Sequence, residues 1–80
     1  MTNDRLRTCT LSIQSVREKD QHVGWRWYTY IDGGEKGFAQ SGPFRRRLDC
    51  MADAIQCNPE FANHPWQKDR RIVLTENADE

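Results

Sequence analysis

The run Trp25-Arg26-Trp27-Tyr28-Thr29-Tyr30-Ile31 constrains this chain more than any other stretch. Aromatic and β-branched side chains dominate it, and such residues suit a pleated, half-buried surface. Period-two alternation puts Trp25, Trp27, Thr29 and Ile31 on one face and Arg26, Tyr28 and Tyr30 on the other. Asp32-Gly33-Gly34 follows at once, and Gly accepts the positive φ that a tight hairpin requires. A strand that turns back on itself in this way predicts an antiparallel sheet.

The neighbouring segments extend that sheet. From Leu6 to Val16 the pattern alternates, with Cys9, Leu11 and Ile13 on one side and Thr8, Thr10, Ser12 and Gln14 on the other. Arg17 to Gly24 is charged and polar and reads as a hairpin loop containing His22. Glu35 to Ser41 reads as a third strand anchored by Phe38. Gly42-Pro43 stops the sheet and opens a helix over about Phe44 to Cys57, since Pro loses no hydrogen bond in a first turn. Its apolar stripe is predicted to be Phe44, Leu48, Met51, Ala52 and Ile55. Asn58-Pro59 ends it, because the residue before Pro avoids the helical region. Phe61, Pro65 and Trp66 are expected to pin the irregular stretch from Glu60 to Asp69, and Arg71 to Thr75 to add a short strand whose pairing position is open.

The order is β-β-β-α-β, an α+β fold: an antiparallel three-stranded meander packed on one amphipathic helix, with a short C-terminal strand. One helix covers one face of a sheet. Leu11, Ile13, Trp25, Trp27 and Ile31 are expected to meet the helix. Thr8, Thr10, Ser12, Arg26, Tyr28 and Tyr30 would then face solvent or a partner.

Eighty residues suffice for one domain, 1–80, with frayed ends expected at about 1–5 and 76–80. Apolar residues are only 36% of the chain, so three Trp, three Phe and two Tyr must supply much of the buried area. Cys9, Cys50 and Cys57 make an odd set, and no apolar leader precedes them, which argues for a reducing cytosol over a secreted disulfide scaffold. No apolar run approaches the roughly 20 residues of a membrane span. Twelve Lys and Arg balance twelve Asp and Glu. Zero net charge weighs against a dedicated nucleic-acid binder, unless the charges are segregated in space.

Two surfaces invite a functional reading. Arg26, Tyr28 and Tyr30 combine residue types enriched at binding hot spots and in base-stacking platforms. Cross-strand packing of the Tyr rings against Thr accounts for the same strip without a ligand. Arg45, Arg46 and Arg47 stand at the helix start, where cations oppose the helix dipole. Arginines beside a helix N-terminus suit an anion, while Asp49, at i+4 from Arg45 and i+3 from Arg46, offers local compensation. Cys50 and Cys57 are expected on the helix face opposite the apolar stripe, and with His64 they match no usual zinc spacing. No nucleophile elbow, phosphate-cradling Gly loop or His-Glu-x-x-His is present, so neither cofactor, metal nor catalysis is expected.

The stretch from Trp25 to Gln56 resembles two families. Trp25-Arg26-Trp27-Tyr28, Asp32-Gly33, Ser41-x-x-Phe44 and Ala54-Ile55 follow the outline of small bacterial YegP-like domains of unknown function. The helix anchor is displaced by one residue and the paired repeat is absent. Trp25, Gly33-Gly34 and Gly42-Pro43-Phe44 resemble landmarks of arm-type DNA-binding domains of phage integrases. That resemblance implies a sheet face set in the major groove, with Arg26, Tyr28 and Tyr30 as contacts.

From the sequence, the expectation is a small non-enzymatic cytoplasmic bacterial protein that binds a protein partner, or a second copy of itself, through the open sheet face. The alternative is a nucleic-acid module using that face and the Arg cluster.

Overall fold

The computed structural model describes residues 6–40 and 42–77, without the side chain of Asn77. Four strands, β1 (Leu6–Glu18), β2 (Gln21–Ile31), β3 (Gly34–Phe38) and β4 (Arg71–Asn77), form one sheet in the order β3-β2-β1-β4. Every adjacent pair is antiparallel. One helix, α1 (Arg47–Cys57), and a 3-10 turn at Pro59–Phe61 lie between β3 and β4. The fold is the α+β meander with one helix and a C-terminal strand, and that last strand pairs with β1 to form the far edge.

The first hairpin is longer than the sequence suggests. The stretch read as a loop from Arg17 to Gly24 is mostly strand, and only Lys19 and Asp20 turn, with φ of 52° and 65°. His22 therefore sits in β2. Polar side chains on both faces hid the strand, because a ribbon without a core beneath it carries no apolar alternation. Val23 is the extra residue of a bulge, between the pairs Val16↔Gly24 and Arg17↔His22. The second hairpin turns at Asp32 and Gly33, with φ of 51° and 88°, matching the Asp-Gly signal. Asp32 also holds β1: its Oδ1 accepts from the Thr8 N–H at 2.9 Å and its own N–H donates to Thr8 O at 2.8 Å.

The core lies between the sheet and α1. Cys9, Leu11, Ile13, Trp27, Ile72 and Leu74 are buried from the sheet, Cys50 and Ala54 from the helix, and Phe61 from the 3-10 turn. Trp25, Ile31 and Trp66 pack at its margin, while Pro65 is exposed.

Two predicted details are corrected. First, α1 begins at Arg47, not Phe44. Phe44 instead extends the sheet, exchanging two 2.8 Å backbone hydrogen bonds with Trp25. Counting the stripe from a residue outside the helix rotated the predicted face. Leu48 is 70% exposed and Ala52 is exposed, whereas Cys50 faces the core with Ala54; Met51 and Ile55 flank them. Cys50 is thus not opposite the apolar face, although Cys57 is exposed. The small Cys50 and Ala54 side chains let the helix approach the bulky Trp27 and Leu11. Second, β3 ends at Phe38, which is 46% exposed, and Ala39 is the buried residue there. Phe38 pairs with Tyr28 and so faces away from the helix.

β4 reaches Asn77, so Glu76 is not part of a frayed tail; it pairs directly with Arg7 in an ion pair. The expected fraying at 1–5 and 78–80 lies outside the described residues. Among the described residues, no helix is long and apolar enough to cross a membrane.

Candidate functional site

Strand register builds the open face in rows. Phe38, Tyr28, Ser12 and Arg71 form one row, and Tyr30, Thr10 and Val73 the next. Arg26 stands opposite Gln14 one row towards the ribbon. Arg26, Tyr28 and Tyr30 therefore share a face, as the alternation predicts. Tyr30 leans two rows along the sheet, where the Gln14 side-chain amide donates to its hydroxyl at 2.8 Å. The same amide lies 3.4 Å from Ser12 Oγ. Tyr30 is thus held by its own sheet. Arg26 is less settled, since its Nε is shielded from water and has no hydrogen-bond partner among the described residues.

The three helix-start arginines do not converge on one point. Arg46 is the N-cap, in extended conformation with no side-chain cap, and Arg45 and Arg46 are exposed. Arg47 is half-buried, its guanidinium 5.9 Å from the centre of the Trp25 ring. His22 meets the same indole at 4.9 Å in an edge-on contact. Among the described residues none of the three arginines forms an ion pair.

Register also sorts the charges along the sheet. The far end of the β1–β2 ribbon, the start of β4 and the start of α1 lie together, because Trp25 touches Phe44 and Arg47 while Ile13 bonds to Arg70 O. That end gathers Arg17, Lys19 and Arg26 from the ribbon, Arg45 to Arg47 from the helix start, and Lys68, Arg70 and Arg71 from the turn into β4. These are nine of the twelve Lys and Arg, against Glu18, Asp20, Asp49 and Asp69. Among the described residues, the opposite end carries Asp32, Glu35, Glu60 and Glu76 with Arg7 and Lys36. Charge among the described residues is thereby segregated towards the two ends of the sheet.

Among the described residues, two of the cavities beside the core are large. One, of about 530 Å³, is a groove beside Trp25 where β4 stops alongside β1, lined in part by Gln14, Ser15, Lys68, Arg70 and Arg71. Sequence reasoning missed it, because only the pairing of β4 with β1 brings residues 67–71 beside residues 12–15. The signal available was the basic run Lys68-Asp69-Arg70-Arg71. The other, of about 400 Å³, lies between β3 and α1, lined in part by Trp27, Lys36, Asp53 and Cys57. There the Trp27 indole N–H donates to Asp53 Oδ2 at 2.8 Å, which commits that carboxylate to the fold.

The thiols differ by environment. Burial, with the Asp53 charge second, pushes Cys50 up to about 11, and burial likewise raises Cys9. Both stay protonated at neutral pH and act as small apolar groups. Among the described residues no three His, Cys, Asp or Glu side chains gather as metal ligands would. No protein-family model, curated protein or solved structure matches this chain.

Proposed function

We propose that this chain is a non-enzymatic module that binds a polyanion of nucleic-acid type through its basic end and the adjoining open sheet face. The separation of charge carries the reading. Zero net charge argued against such a ligand only while the charges were taken as mixed. With nine cations set against four carboxylates at one end, the local field attracts phosphate whatever the total. Arg26 and Arg71 bring that charge onto the open face beside Tyr28 and Phe38, whose rings offer planar surface to bases. Three free cysteines fit a reducing compartment such as the cytoplasm.

The test is retention on immobilised heparin and on DNA at low ionic strength. The protein should be held and then released as salt rises, because phosphate contacts displace counterions. Passage unretained at low salt would reject the proposal.

A protein partner, or a second copy, on the open face is the second reading. The 46% exposure of Phe38 beside Tyr28 favours it, since a ring left half in water on an edge strand gains from being covered. Sedimentation at high concentration would detect self-association, and a strictly monomeric protein would remove the second copy as occupant.

A further inference from the structure

We infer that the groove beside Trp25 takes one nucleotide unit of a single strand, with the base against the indole and its phosphate among Lys68, Arg70 and Arg71. This rests on the nucleic-acid reading above and gives it a place and a strand form.

The groove exists because β4 is shorter than β1. The β1–β4 ladder ends at Ser12↔Arg71, with one further hydrogen bond of 2.7 Å from Ile13 N–H to Arg70 O. The chain then leaves through the tight turn at Lys68 and Asp69, both with φ of 54°. Among the described residues nothing pairs with this edge of β1 beyond Ile13. Alternate residues of a strand send their N–H groups to the same side. The Ser15 N–H therefore points the way the Ile13 N–H does, towards the groove that Ser15 lines. A free backbone donor beside three cations is a combination suited to phosphate oxygens.

Trp25 supplies the other half. It is half-buried, with the Arg47 guanidinium 5.9 Å over its ring and His22 edge-on at 4.9 Å, which restricts the ring, and it lines the groove. An indole held in place is a stacking surface that needs little ordering on binding. The volume, about 530 Å³, falls within the roughly 300–1,000 Å³ of small-molecule clefts. That accommodates one base and its phosphate. A base paired inside a duplex cannot enter, because its face is covered by its neighbours, so the groove selects an unpaired strand.

The experiment uses a fluorescently labelled oligothymidylate and the matching dT·dA duplex, with anisotropy as the readout. The double variant Lys68→Glu/Arg70→Glu alters two exposed residues and leaves the core untouched. The full chain should bind the single strand about tenfold or more tighter than the duplex, and the double variant should lose that preference. In a ¹⁵N correlation spectrum of the unmodified protein, the Ser15 amide and Trp25 indole signals should move as the oligothymidylate is added. Equal binding of both strand forms, with the double variant unaffected and those two signals still, would overturn the groove while leaving polyanion binding intact. Failure of either strand form and of heparin to bind would remove both.

Discussion

The indole N–H of Trp27 donates to Asp53 Oδ2 at 2.8 Å, joining the central strand to the helix at the margin of the core. Trp27 is only 5% exposed, but the bond borders the cavity between β3 and α1, where water can partly replace the carboxylate. Replacing Asp53 with Ala should cost about 0.5–1.5 kcal/mol. Asp53→Asn keeps an acceptor oxygen and should cost distinctly less. Urea unfolding of both variants measures the difference, and equal losses would show that the bond contributes nothing specific.

Gly24 lies where the backbone of Pro43 and Phe44 passes close to β2. A Cβ there would sit 2.7 Å from both Phe44 O and Pro43 Cβ, against the backbone that pairs with Trp25. Gly24→Ala should destabilise by about 1–3 kcal/mol, as overpacking does. Gly33 is the control: a Cβ meets nothing within 4 Å, and only its φ of 88° opposes a side chain. Gly33→Ala should cost about 1–2 kcal/mol through backbone strain alone, and only the Gly24 variant should shift the Phe44 amide resonance.

The ribbon turn places one unsuited residue: Lys19 holds a φ of 52° without the tolerance that Gly, Asn or Asp has for it, whereas Asp20 suits its position. Changing the pair to Asn-Gly should stabilise the fold by about 1 kcal/mol and raise Tm, because those residues favour the same turn. An unchanged Tm would mean the turn strain is relieved elsewhere.

Cys50 predicts an alkaline limit. Its thiol ionises near 9.0 in an unfolded chain and at about 11 in the fold. Between those values the native state holds a proton that the unfolded state has released, so stability falls as pH rises. The loss should begin near pH 9 and level off near pH 11 as far as this group is concerned. Cys50→Ala should flatten that part of the stability profile. In the native protein at neutral pH, iodoacetamide should reach Cys57, which is exposed, well before Cys50 or Cys9.

Period-two alternation was enough to place Trp27 against the helix and Arg26, Tyr28 and Tyr30 together on the far face. Such alternation is legible wherever one side of a strand is buried. The helix face was not legible, because Phe44 looked like the first member of a helical stripe but belongs to a strand pair with Trp25. The ribbon was not legible either, since Arg17 to Gly24 has no core beneath it to impose a pattern. Charge separation was invisible for a different reason. Arg17, Arg45 and Arg70 are far apart in sequence, and only the register of β1 against its two neighbours, with the Phe44–Trp25 backbone pair, brings them to one end.

The polyanion proposal is tested most directly by affinity for a labelled single-stranded oligonucleotide measured across a range of salt. The logarithm of the binding constant should fall linearly with the logarithm of salt concentration, by about 0.7 for each phosphate neutralised on a single strand. Arg17→Ala and Arg45→Ala, at exposed positions of the basic end, should each make that slope shallower, by up to about one. Lys36→Ala, at the acidic end, should leave it unchanged. No binding at low salt, or a slope indifferent to all three substitutions, would contradict the proposal.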